Sequence, residues 1–121
     1  MDRKKIQELL DNYFYDKGLK SYHGRKELNV DDLEYIIFML SNGNDSNFAD
    51  NFPLNSGKYV DIKYYTKEQN LLDKRNKEIV QLMRENGFSV IDNGTDIPAE
   101  LDADIWGISM EFYYESFIWF F

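Results

Sequence analysis

Few residues of this chain have the types and spacing that chemistry needs, and the best placed are Asp61 and Lys63 in Asp61-Ile62-Lys63. On a strand, residues two apart share one face, which is how metal-dependent nucleases set a metal ligand beside a catalytic lysine. That chemistry would be magnesium-dependent cleavage of a phosphodiester. The bland alternative is the solvent face of an amphipathic strand, and it is preferred because one such pair is weak evidence. The acidic residues Asp92, Asp96, Glu100, Asp102 and Asp104 offer oxygen ligands of the kind calcium and magnesium take. Their spacing is not that of an EF-hand, so a solvated loop is the better reading. His23, the only histidine, lies in a polar stretch without a Ser or Cys partner nearby and reads as a surface residue rather than a general base. With no cysteine, disulfides and thiolate chemistry are excluded, and one histidine rules out a multi-histidine zinc site. Gly43, Gly57, Gly87, Gly94 and Gly107 are isolated, with no phosphate-binding loop or nucleophile motif around them. The chain is therefore expected to be no enzyme and to need neither metal nor cofactor.

The elements that would position these residues follow from periodicity. Ile6, Leu9, Leu10, Tyr13 and Phe14 recur at the three- and four-residue spacing of one helix face, with Asp2 as a cap and Gly18 as a stop. Residues 19–32 are polar and read as a connector. The run Tyr35-Ile36-Ile37-Phe38-Met39-Leu40 fits a buried strand or a helix capped by Asp31-Asp32, and periodicity leaves both open; the strand is preferred. Residues 41–57 are dense in turn formers and read as a protruding loop used for contact, with Phe48, Asp50 and Phe52 as interface candidates. Val60, Ile62 and Tyr64 alternate with Asp61 and Lys63, the pattern of a half-buried strand. Thr66 and Gln69 match a capping box opening a helix that Gly87 closes, with Leu72, Ile79, Leu82 and Met83 on its buried face and a polar gap at Arg75-Asn76. Residues 88–91 suggest a short strand and 92–104 a loop. In the last segment Ile108, Met110, Phe112 and Tyr114 alternate with Ser109, Glu111 and Tyr113 as a long strand. The expected fold is α+β: one small antiparallel or mixed β-sheet with two helices packed on one face, in a single domain spanning 1–121.

Composition bounds the partners. A chain of 121 residues fits one domain and buries roughly two thirds of its unfolded surface. The formal net charge of −8 repels phosphate backbones and argues against nucleic-acid binding. No apolar run approaches the roughly 20 residues of a membrane span, and Met1-Asp2-Arg3-Lys4-Lys5 lacks the apolar core of a signal peptide, so a soluble cytoplasmic chain without membrane contact is expected. Aromatics make up 17% of the residues, and these are types enriched in cores and interfaces.

The C-terminal residues Phe117, Ile118, Trp119, Phe120 and Phe121 form an apolar run that two readings fit. It either finishes the sheet under a helix or serves as a protein interface. Ile118 and Phe120 continue the alternation of Ile108 to Tyr114. Phe117, Trp119 and Phe121 fall on the face that Ser109 and Glu111 leave to water, so both faces are apolar.

The middle of the chain resembles the tail terminator, or tail-completion, proteins of long-tailed bacteriophages and prophages. The residues that carry the resemblance are Tyr35-Ile36-Ile37-Phe38, Phe48-Ala49-Asp50, Gly57-Lys58-Tyr59-Val60 and Asn86-Gly87-Phe88. Trp106-Gly107 and Met110-Glu111-Phe112-Tyr113-Tyr114 fit it as well. The connector at 18–32 and the terminal aromatics have no counterpart in that pattern. The resemblance implies a structural virion protein at the tail–head junction, assembled in the host cytoplasm into a ring of six copies. Its partners would be itself, the major tail tube protein and a head-completion protein. A rival class is a small acidic inhibitor, such as a toxin-immunity or host-defence-inhibitor protein, to which the size and charge are equally suited.

Overall fold

A computed structural model describes residues 3–24, 34–42, 46–49, 52–98 and 105–117. Helix α1 (Arg3–Phe14) buries Ile6, Leu10 and Phe14, one side chain per turn. A 3-10 turn (Tyr15–Lys17) follows, then β1 (Lys20–His23), β2 (Glu34–Asn42), β3 (Ser46–Ala49) and β4 (Phe52–Thr66). A second 3-10 turn (Gln69–Leu71) leads into helix α2 (Leu72–Glu85), and β5 (Ser89–Ile97) and β6 (Trp106–Phe117) complete the chain. Among the described residues no helix is long and apolar enough to cross a membrane.

Five strands lie in the order β1-β2-β4-β6-β5, and β3 pairs with β4. The β1–β2 pair is parallel and the others are antiparallel, so the sheet is mixed. Side chains directly opposite on paired strands share a face. Ile36 lies across from Tyr64, Phe38 from Ile62, Val60 from Phe112, and Ile62 from Met110. All of these are fully or almost fully buried, in one cluster with Ile6, Leu10 and Phe14 of α1 and Ile79, Leu82 and Met83 of α2. Both helices therefore cover the same face, and the expected α+β arrangement holds. Ile62 and Phe112 lie on the covered side, as their alternation requires.

Several local expectations change. Of residues 41–57, read as a loop, 41–42 end β2, 46–49 form β3 and 52–57 begin β4, with Ser46 opposite Asn55, Phe48 opposite Pro53, and Ala49 opposite Phe52. Asn55 pairs with Ser46 on one side and Phe117 on the other, so β3 lies along the edge of β4 that β2 occupies further on, and runs in the same direction. Turn formers lower strand propensity, but a long partner strand supplies the backbone hydrogen-bond groups that override it. Of the interface candidates, Phe48, Phe52 and Phe117 thus belong to strand ladders, while Asp50 and Ile118, Trp119, Phe120 and Phe121 lie outside the described residues.

The connector at 19–32 contains β1, a four-residue edge strand too polar and short to leave a periodic signal. Residues 92–97, read as loop, extend β5, whose register against β6 shifts at Val90/Asp92 and again at Asp92/Thr95. Such bulges break the alternation on which a strand is recognised. The capping box is absent as well. Thr66 ends β4, and its hydroxyl accepts the N–H of Glu68 at 3.0 Å, while α2 begins at Leu72. The helix does end at Gly87, whose φ of +89° closes it at no steric cost.

Candidate interaction surface

Covering one face of a sheet leaves the other open, and here the open face is built from the odd-numbered positions of β4 and their neighbours across the ladders. Its four rows run across the strands. Met39, Asp61, Glu111 and Asp92 form one, and Ile37, Lys63, Ser109 and Thr95 the next. Outside them lie Ser41, Tyr59, Tyr113 and Ser89 on one side, and Tyr35, Tyr65, Gly107 and Ile97 on the other. Met39 is 52% exposed, and Asp61 and Lys63 are exposed, so among the described residues nothing closes this face at these positions.

Tyrosines shape the two outer rows. Tyr35 and Tyr65 stack at 5.1 Å between ring centroids, and Tyr59 and Tyr113 lie 4.9 Å apart. Two rings cover glycines. A Cβ on Gly57 would stand 2.1 Å from the hydroxyl of Tyr113, and one on Gly107 would stand 2.9 Å from the Tyr65 ring. Any side chain at either position would displace the ring, which gives Gly57 and Gly107 a packing reason and leaves each outer row with an aromatic pair, stacked at Tyr35–Tyr65 and tilted at Tyr59–Tyr113. Burial pushes the Tyr65 phenol above its ordinary pKa.

Asp61 and Lys63, the pair with nuclease-like spacing, project from this open face. Glu111 stands opposite Asp61, and Asp92 opposite Glu111. Asp92 is occupied within its own turn: the N–H of Gly94 donates to it at 2.9 Å and the Thr95 hydroxyl at 2.7 Å, and these two bonds hold its carboxyl below the usual range. Among the described residues no group of three or more His, Cys, Asp or Glu side chains could hold a metal ion. His23 is exposed and accepts a hydrogen bond from Arg3 Nε at 3.1 Å.

Beneath the opposite face lies a polar network that periodicity did not reveal. Arg75 on α2, where a polar gap was expected, is only 7% exposed, and Glu34 at the start of β2 is 8% exposed. The guanidinium grips the carboxylate with two bonds, Nε to Oε2 at 3.2 Å and NH2 to Oε1 at 3.0 Å. It also donates to Glu78 at 3.1 Å, and Glu78 in turn pairs with Lys17 at 3.3 Å. The Tyr64 hydroxyl donates to Glu34 Oε2. Burial lowers the pKa of Arg75, but the hydrogen bonds and charge of Glu34 and Glu78 outweigh it and hold the value above the ordinary one. These groups tie α2 and the first 3-10 turn to β2 and β4.

Tyr64 links this network to pH. Burial, reinforced by the bond to Glu34, raises its phenol well above the ordinary value of 10.0. The folded chain keeps that proton where the unfolded chain releases it, so stability is fully present below about pH 10 and declines as pH rises beyond it. Urea midpoints measured from about pH 8 to 11 should fall more steeply for the wild type than for Tyr64→Phe. Parallel slopes would show that Tyr64 is not protected. At the other side of the sheet, Gln7 on α1 donates to the backbone oxygen of Ser21 at 2.8 Å and to Asp11 at 3.1 Å, placing a side chain against the backbone of the short outer strand β1.

No family model matches the chain, and no curated protein matches it in sequence.

Proposed function

We propose that this chain is a structural, non-enzymatic assembly protein of a phage tail, a terminator that caps the tail tube and joins tail to head. The observation that carries this reading is where the resembling residues fall. Tyr35 to Phe38 on β2, Phe48-Ala49 on β3 and Gly57 to Val60 on β4 belong to one continuous antiparallel unit, and Met110 to Tyr114 on β6 pairs alongside it. Gly57 on β4 and Gly107 on β6 have the packing reason given above, which supports the reading.

The mechanism is contact. A ring of six closes when each subunit offers two different, mutually complementary patches related by a sixth of a turn. One face of the ring then copies the pairing surface of the tube subunit and the other does not, so polymerisation ends there. The β3–β4 pair, which continues along β4 past the end of β2, supplies strand backbone for such contacts.

Purified protein added to polymerising tail tube subunits should arrest tubes at defined length with a ring at one end, viewed by negative-stain electron microscopy. Removing residues 118–121, which leaves the paired residues of β6 in place, should preserve the circular dichroism of the wild type and abolish capping. Tubes that keep growing in the presence of the intact protein would sink the proposal.

A further inference from the structure

The open face of the sheet is self-complementary, and we infer that it docks on the same face of a second copy about a two-fold axis. This goes beyond the ring proposed above and does not depend on it. Consider an axis lying in the plane of the face, running across the strands midway between Asp61 and Lys63. A half-turn about it brings the Asp61 row of one copy over the Lys63 row of its partner, and the Tyr59 row over the Tyr65 row.

The chemistry matches at the central overlays. Asp61 meets Lys63, and by symmetry Lys63 meets Asp61, so every dimer contains the pair twice. Met39 meets Ile37, apolar on apolar, which would cover a methionine that is 52% exposed in the single chain. Tyr59 and Tyr113 in one outer row meet the positions of Tyr65 and of Gly107, which the Tyr65 ring covers, so aromatic faces aromatic. These overlays follow from strand registers alone, in which Met39 pairs with Asp61, Ile37 with Lys63, Tyr59 with Tyr113 and Tyr65 with Gly107.

Charge also favours this face over the rest of the surface for self-association. The chain carries a net −8, so two copies repel through most approaches. On the open face Lys20 and Lys63 stand against Asp61, Glu111 and Asp92, a near balance, and the acidic excess lies elsewhere. Four strands about 4.8 Å apart that overlap over some seven to nine residues, with the four-residue β1 beside them, present roughly 550 Å², so a stacked pair buries about 1,100 Å², just above the roughly 1,000 Å² that a specific interface must clear. Sheets stacked in this way sit about 10 Å apart, the spacing of two facing layers of side chains. Among the described residues the sheet edges offer a poorer route: β5 is bulged twice, β3 is four residues long, and β1 is as short and carries Gln7 against its backbone.

Two exposed charges make the test sharp. Asp61→Lys puts lysine over lysine, and Lys63→Asp puts aspartate over aspartate, twice in each dimer. Sedimentation equilibrium of the wild type should show a monomer–dimer equilibrium, and each single variant should weaken it at least about tenfold, since like charges facing each other are costly. The double variant Asp61→Lys/Lys63→Asp should dimerise again, and an equimolar mixture of the two single variants should form heterodimers. Both substitutions are on the surface, and circular dichroism checks that each variant is folded. A wild type that stays monomeric, a dimer or ring that neither single substitution weakens, or a mixture that fails to associate overturns the inference. Failure of the ring proposed above would leave these results unchanged.

Discussion

Arg75→Ala is expected to destabilise the fold by about 3 to 5 kcal/mol, read from urea denaturation midpoints, although the residue makes no contribution to the apolar core. The cost comes from what is left behind. Glu34 is 8% exposed and receives both bonds of the guanidinium fork. Without Arg75, a buried carboxylate keeps only the Tyr64 hydroxyl among the donors described, and an unpaired buried charge is among the costliest single defects a core can carry. The reverse deletion differs. In Glu34→Ala the guanidinium still holds Glu78 at 3.1 Å, so the loss should be smaller, about 2 to 3 kcal/mol. Replacing both, as Glu34→Gln with Arg75→Met, should recover most of the stability, because well-packed apolar or neutral groups often equal a buried ion pair. A double-mutant cycle gives the coupling directly. A loss below about 1 kcal/mol for Arg75→Ala would mean that the pair behaves as a solvated surface bridge.

The same residue shows why the sequence could be read only in part. Val60, Ile62 and Tyr64, and Ile108, Met110 and Phe112, reveal their strands because alternation is a local signal, and the burial of these side chains follows it position by position. Arg75 interrupts the apolar stripe of α2, and nothing within the helix says that its partner stands 41 residues away on another element. Long-range pairing is also what turns residues 46–49 and 52–57 into strand despite their turn formers. For β1 the signal is absent because an outer strand of four residues with one buried side chain, Ser21, has no apolar alternation to display.

The open face was legible in its charges and not in its aromatics. Asp61 and Lys63 were read as solvent-facing, and they are. Tyr35, Tyr59, Tyr65 and Tyr113 share that side, half-buried by lying along the sheet and, for two of them, over glycines. The available clue was the pairing of an aromatic with a glycine on a neighbouring strand, which becomes visible only once the β4–β6 register is known.

Phe112→Ala is expected to cost about 3 to 5 kcal/mol, the second large effect. Phe112 is fully buried, and its position explains why the site cannot adjust. It lies on β6, between β4 and β5, directly opposite Val60 on one side and Val90 on the other. Backbone ladders on both sides hold β6 in place, and α2 closes the face above with Ile79, Leu82 and Met83 in the same cluster. The removed ring therefore leaves a cavity as well as the transfer cost of its apolar surface, about 2 to 3 kcal/mol alone. For a domain whose whole stability is on the order of 5 to 15 kcal/mol, that is a shift in the urea midpoint no assay could miss. The adjacent residue supplies the control. Tyr113 points to the open face and is only half-buried, so Tyr113→Ala should cost well under half as much. If the two substitutions ranked in the opposite order, the faces of β6 would be exchanged, the Tyr113–Gly57 contact would be lost with them, and the open face from which self-docking was inferred would be the core.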